Sequence, residues 1–176
     1  PGGADAVQLE GIGTAAMNVS YLNSSLTTAS GDLFQYIGDG SGGGSLTLTG
    51  NAFTNNEPTI ATGGGGIAVV GGAKGAMTLD IQNNTMRDSL TNALTVIKSR
   101  DNAAGTNNLT ATISNNQIGV AATANSGSAE GDGMEITSFG DGNATFNVTN
   151  NTIRQYNSSG IQFVAGSGVA DTGQVN

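Results

Sequence analysis

The chain has 176 residues and a mass of 17.4 kDa, with 13 Asp and Glu against five Lys and Arg, a net charge of −8. It contains no Cys and no His, which excludes disulfide scaffolds, zinc sites and histidine-based acid–base chemistry. The few cations cannot neutralise a row of phosphates, so nucleic acid is excluded as a partner, and no apolar run approaches the ~18 residues of a membrane span.

Gly, Thr, Asn and Ser together make up roughly half of the chain, well above globular usage. Such text can signal disorder, but here it is punctuated by a repeat. In chain order the predicted strands begin with AVQLEG (Ala6 to Gly11) and VSYLNSSL (Val19 to Leu26). DLFQYIGDG (Asp32 to Gly40) and LTLTGNAF (Leu46 to Phe53) follow, then GIAVVGG (Gly66 to Gly72) and LDIQNNTM (Leu79 to Met86). ALTVIKS (Ala93 to Ser99) precedes ATISNNQI (Ala111 to Ile118). GMEITSFGDG (Gly133 to Gly142), FNVTNNTI (Phe146 to Ile153) and GIQFVAG (Gly160 to Gly166) complete the series. Two kinds of element alternate: a short β-rich run, and a strand that ends in an Asn-rich pair followed by a shorter strand. The second members of the pairs are Ser24, Asn51, Asn84, Asn116 and Asn151. The four asparagines are 33, 32 and 35 residues apart (51 to 84, 84 to 116, 116 to 151).

Alternation with period 2 makes these runs strands with one buried face. Leu79 and Ile81 oppose Asp80 and Gln82; Phe146 and Val148 oppose Asn147 and Thr149. One repeat, with about five inward apolar side chains, cannot offset the ordering entropy of its own backbone. Stacked repeats bury those side chains against their equivalents, each worth ~1.5–3 kcal/mol. The Asn pairs supply the positive φ of a tight bend, and stacked Asn amides can bond from one repeat to the next. Residues 1–176 are therefore expected to form one all-β domain, a solenoid of about five to six coils with an Asn ladder at Asn51, Asn84, Asn116 and Asn151.

GIQFVAG, LDIQNNTM, ATISNNQI and FNVTNNTI resemble the repeats of right-handed parallel β-helix proteins, the superfold of pectate lyases, phage tailspikes and autotransporter passengers. In character they most resemble bacterial surface segments of the autotransporter type. The resemblance implies a right-handed coil, and an Asn ladder at the tight turn after the second strand. It is specific for architecture, since this fold hosts enzymes, adhesins and inert stalks.

Polysaccharide-active members of that superfold carry clustered carboxylates on the outer face of the first strand, where alternation here places Gln8, Ala68, Thr95, Glu135 and Gln162. The candidate catalytic cluster is Glu135 with Lys98, Arg100 and Asp101, although glycoside hydrolysis needs two carboxyl groups ~5–9.5 Å apart. Calcium is the one cofactor considered, with Glu130, Asp132, Glu135 and Asp141 as candidate ligands; the same Asp-Gly steps are turn signals. Thr47, Thr49, Thr78, Thr110, Thr112, Ser114, Thr145 and Thr149 make a hydroxyl-rich outer face on the second strand, interrupted by Asp80, Gln82 and Asn147. Arg87 and Arg154 are read as surface residues.

Strand-like text runs nearly from end to end, so the ends are expected to be uncapped and to invite self-association. With Pro1 first, the chain is expected to be an excerpt of a longer protein or a unit that assembles end to end. The functional expectation is a non-catalytic structural or adhesive segment of a bacterial extracellular or cell-surface protein, fibre-forming through stacked ends, with a glycan or surface ligand as partner. The alternative is a polysaccharide-active or polysaccharide-binding domain of lyase or glycosidase type.

Overall fold

The computed structural model describes residues 5–38, 40–55, 64–72, 74–98 and 108–166. Among them are sixteen strands and no helix. Sheet A holds β1 (Val7–Gly11), β4 (Phe34–Gly38), β7 (Ile67–Gly71), β10 (Leu94–Lys98), β13 (Met134–Ser138) and β16 (Ile161–Ala165), in that order. Sheet B holds β2 (Met17–Leu22), β5 (Gly44–Thr49), β8 (Met77–Gln82), β11 (Leu109–Ser114) and β14 (Ala144–Thr149). Sheet C holds β3 (Ser25–Thr27), β6 (Ala52–Thr54), β9 (Thr85–Arg87), β12 (Gln117–Ile118) and β15 (Thr152–Ile153). The chain visits A, B and C in turn, and every pairing is parallel. This all-β arrangement of three parallel sheets is compatible with a parallel β-helix.

Parallel pairing without a register slip sets like over like. Phe34, Ile67, Leu94 and Met134 form one buried column, and Tyr36, Val69, Val96 and Ile136 the next. Sheet B contributes Leu46, Leu79 and Ala111, then Leu48, Ile81 and Ile113; sheet C contributes Phe53, Met86 and Ile118. All belong to one core. Towards the N-terminal end it is aromatic: Phe53 lies 6.3 Å from Phe34 and 6.4 Å from Tyr21, centroid to centroid.

The sheet-B strands begin two residues before the apolar alternation shows, at Gly44 rather than Leu46 in β5. Tyr36 explains this case. Its buried hydroxyl donates to the Met17 carbonyl at 2.8 Å, and a Cβ on Gly44 would sit 2.9 Å from that hydroxyl and 2.2 Å from the carbonyl oxygen. Glycine is needed at a core-facing position, so the sequence pattern is blank where the strand already runs.

Phe53→Ala removes the ring that joins the aromatic group to the Met86 and Ile118 column. The expected loss is about 3–5 kcal/mol of unfolding free energy. Chemical denaturation of the variant, with unchanged slope against denaturant, checks it.

Candidate functional site

The tight turn between sheets B and C divides two tasks between its two residues. The first adopts the left-handed conformation: φ is 49° at Asn23, 70° at Gly50, 56° at Asn83, 57° at Asn115 and 56° at Asn150. Gly and Asn tolerate that region best, because the first lacks Cβ and the second bonds locally. The second residue turns inward. Asn51, Asn84 and Asn116 are 2%, 0% and 0% exposed. The backbone N–H of Ser24 donates to Asn51 Oδ1 at 2.9 Å, and those of Asn51, Asn84 and Asn116 donate to Oδ1 of Asn84, Asn116 and Asn151 at 2.9, 3.0 and 2.9 Å. Each amide nitrogen also donates to the next Oδ1 at 3.0 Å. Its remaining hydrogen goes to a sheet-B carbonyl one circuit back: Tyr21, Leu48, Ile81 and Ile113, each at 2.8 Å. Amides of this kind can be buried because every donor is used.

A second polar column, unread in the sequence, stands two residues before each sheet-A strand. The register sets Asp5, Asp32, Gly65, Asn92, Asp132 and Ser159 over one another. Asp5 Oδ1 accepts the Asp32 N–H at 2.8 Å, Asn92 Oδ1 accepts that of Asp132 at 2.7 Å, and Asp132 Oδ1 accepts that of Ser159 at 2.7 Å. These side chains fix the turn into sheet A. Where two carboxylates stack, the cost is visible: burial, with the neighbouring Asp5 charge, raises the Asp32 pKa, against a weaker opposing hydrogen bond from Gln35. Burial also raises the Tyr36 pKa. Asn55, buried in the loop after β6, takes the Ala29 N–H and donates to the carbonyls of Gly31 and Gly65.

Glu135 does lie on the outer face of sheet A. Its row is Gln8, Gln35, Ala68, Thr95, Glu135 and Gln162. Asn92 Nδ2 donates to Glu135 Oε2 at 2.6 Å, and the Thr137 hydroxyl approaches Oε1 at 3.4 Å. The row beside it is more apolar: Ile37 and Val70 are buried there, outside the main core. Lys98 is not brought to Glu135. It shares the parity of the core residues Leu94 and Val96, is 0% exposed, and its Nζ donates to the carbonyls of Phe139 and Asp141 at 3.0 and 2.7 Å. Arg100 and Asp101 lie outside the described residues.

Of the four calcium candidates, Asp132 and Glu135 both meet Asn92, one through its backbone N–H and the other through its carboxylate. Asp132 serves the turn at Ser159, Glu135 is held by Asn92, and the Asp141 carbonyl receives Lys98. Glu130 gives its backbone N–H to the Leu90 carbonyl. Among the described residues no three acidic side chains are gathered closely enough to hold a metal ion.

The outer face of sheet B carries its hydroxyls in register. Asn18, Ser45, Thr78, Thr110 and Thr145 form one row; Ser20, Thr47, Asp80, Thr112 and Asn147 the second. Asp80 is held by Gln82 and Asn18 by the Ser45 hydroxyl. This surface offers neutral hydrogen-bonding groups and almost no charge. Arg87 ends β9 and is exposed, whereas its equivalent before the longer 119–132 segment is Gly119, whose φ is 74° and where a Cβ would meet the Arg154 carbonyl oxygen at 2.2 Å.

Two outcomes follow from the columns. Asn84→Ala leaves the Asn51 N–H, the Leu48 carbonyl and Asn116 Oδ1 short of partners in a dry interior. It should cost about 3 kcal/mol or more, against about 1 kcal/mol for Asn151→Ala, whose side chain is only half-buried and donates once, to the Ile113 carbonyl, both read by denaturant unfolding. Asp32 has a raised folded-state pKa, so the folded chain binds more protons than the unfolded chain between 3.8 and the folded value. Stability therefore falls as pH rises through that window and stays lower above it. Asp32→Asn, which copies Asn92 at the equivalent place, should abolish that slope and melt higher at neutral pH; thermal melts from pH 3 to 7 check the sign.

No protein-family model matches the chain, and no curated protein and no solved structure matches it either.

Proposed function

We propose that the chain is a right-handed parallel β-helix of about five to six coils with an asparagine ladder, and that it serves as a non-catalytic structural or adhesive segment of a bacterial extracellular or cell-surface protein. The observation that carries the reading is the unbroken hydrogen-bonded column from Ser24 through Asn151. A rod held by backbone ladders and a polar spine gains rigidity and length from each added repeat. Such economy suits a stalk, which must hold a surface at a distance.

The surface chemistry supports the same reading. The net charge of −8 keeps a rod soluble, and a chain without cysteine needs no redox control outside the cell. The hydroxyl rows of sheet B and the segments at 39–45, 54–65, 99–108 and 119–132 are where a glycan or another surface would be met.

One observation favours the alternative, a polysaccharide-active or polysaccharide-binding domain. Glu135 stands in a row of Gln and Thr on the outer face of sheet A, a polar strip along which a chain of sugars could lie. Its oxygens are already held by Asn92 and Thr137, which suits an orienting acceptor better than an acid. A reducing-end release assay over acidic and neutral polysaccharides, paired with a glycan array, separates the readings. The structural reading expects no release. Release that Glu135→Gln abolishes establishes an enzyme instead.

A further inference from the structure

The two polar columns lean in opposite directions. At the turn between sheets B and C, an asparagine reaches back to the circuit before it. Oδ1 of Asn84 takes the backbone N–H of Asn51 at 2.9 Å and its amide hydrogen at 3.0 Å, and Asn84 Nδ2 gives one hydrogen to the Leu48 carbonyl at 2.8 Å. A single side-chain bond goes forward, from Nδ2 to Asn116 Oδ1 at 3.0 Å. Asn116 repeats the pattern: its Oδ1 takes both donors of Asn84, and its Nδ2 reaches the Ile81 carbonyl and Asn151 Oδ1. Three side-chain bonds out of four therefore serve the preceding circuit.

At the turn into sheet A the acceptor stands on the other side. Asn92 Oδ1 takes the N–H of Asp132 at 2.7 Å, and Asp132 Oδ1 takes that of Ser159 at 2.7 Å. Asp5 does the same for Asp32 at 2.8 Å. Here the side chain serves the following circuit. Residue type does not set the direction, because Asn84 reaches back and Asn92 forward. Place in the circuit sets it: the first column follows the sheet-B strands, and the second precedes the sheet-A strands. Two further contacts keep the same rule. Asn55, after β6, takes the Ala29 N–H of the circuit before it, and Asn108, just before β11, takes the Asn143 N–H of the circuit after it. The main-chain bonds of a parallel sheet are evenly spaced and tie an inner strand to both neighbours, so they carry no such bias.

We propose that the two columns are opposed latches: each circuit is closed at its B-to-C turn by the circuit after it, and at its entry to sheet A by the circuit before it. Loss of the first latch frees the turn of the preceding circuit, whose own asparagine then holds the circuit before that less firmly. Opening therefore travels towards the N-terminus through the asparagine column. Through the second column it travels towards the C-terminus, from Asn92 to Asp132 and on to Ser159. At each corner a local opening is confined to one side of the disturbed circuit. The device concerns how the chain yields locally and does not depend on what the chain binds.

Native-state hydrogen exchange of the full isotope-labelled chain, followed amide by amide, tests this. In Asn84→Ala the N–H groups of Asn51 and Ser24 should exchange about tenfold or more faster, while those of Asn84 and Asn116, whose acceptors remain, should stay within about twofold of the parent chain. In Asn92→Ala the N–H groups of Asp132 and Ser159 should accelerate, and that of Asp32 should not. Ser24 and Ser159 are the decisive amides, because each stands two circuits from the substituted residue. Where Asn84→Ala does not fold, Asn84→Ser, which copies Ser24, replaces it and the same amides are followed. Equal acceleration on both sides of the substituted residue overturns the proposal, as does acceleration at Asn116 without Ser24 or at Asp32 without Ser159. Acceleration confined to Asn51 and Asp132 overturns it too, since that is the loss of one hydrogen bond and nothing more.

Discussion

The structure depends on one constraint: whatever stands at a position in one circuit must tolerate its like one level above and below. Strands ~4.8 Å apart leave no room for a compromise. The asparagine column satisfies this in the strictest way, because one amide oxygen and two amide hydrogens meet the needs of three neighbours at once. Asparagine at this place is also a registration device. A slip of one residue would move Asn84 out of the column and turn Leu79 and Ile81 to solvent, so the polar and apolar penalties would fall together.

The same constraint accounts for the composition. Neutral polar side chains stack without repulsion, whereas charges stack like on like. Asp5 and Asp32 show the cost in the raised pKa of the second, and the column relieves it further along by substituting Gly65 and Asn92. Lys98 is the exception that fits. Its neighbours in register are the uncharged Gly71 and Ser138, and its ammonium donates to two carbonyl oxygens of the following turn. A buried lysine is tolerable only with partners of this kind.

Much of this architecture was legible from residues alone, because strands and turns follow local rules. Alternation located the sheet-B strands, and the Asn pairs marked the turns. What remained hidden was set by contacts between circuits. Gly44 carries no apolar signal because the Tyr36 hydroxyl occupies its side-chain space. The second polar column mixes Asp, Asn, Gly and Ser, so no single residue type announces it. Sequence order sets Lys98 beside Glu135, because the two lie on neighbouring strands near other charges. Counting parity from Leu94 would have placed it on the opposite face. Ile37 and Val70 are buried away from the core, which alternation alone assigns to the outside.

Polar groups inside the three sheets are used up between adjacent circuits. Backbone amides run to the adjacent circuit, the asparagines bond to one another, and the carboxylates of Asp5 and Asp132 are committed to turns. Among the described buried side-chain polar atoms, only the Ser89 hydroxyl has no partner. Hydrogen-bonding capacity left over from folding is therefore concentrated on the outer faces. The outer hydroxyls of sheet B stand in register at the surface and offer shallow, interchangeable contacts of low selectivity, and each further circuit of the same pattern would extend these rows without adding charge.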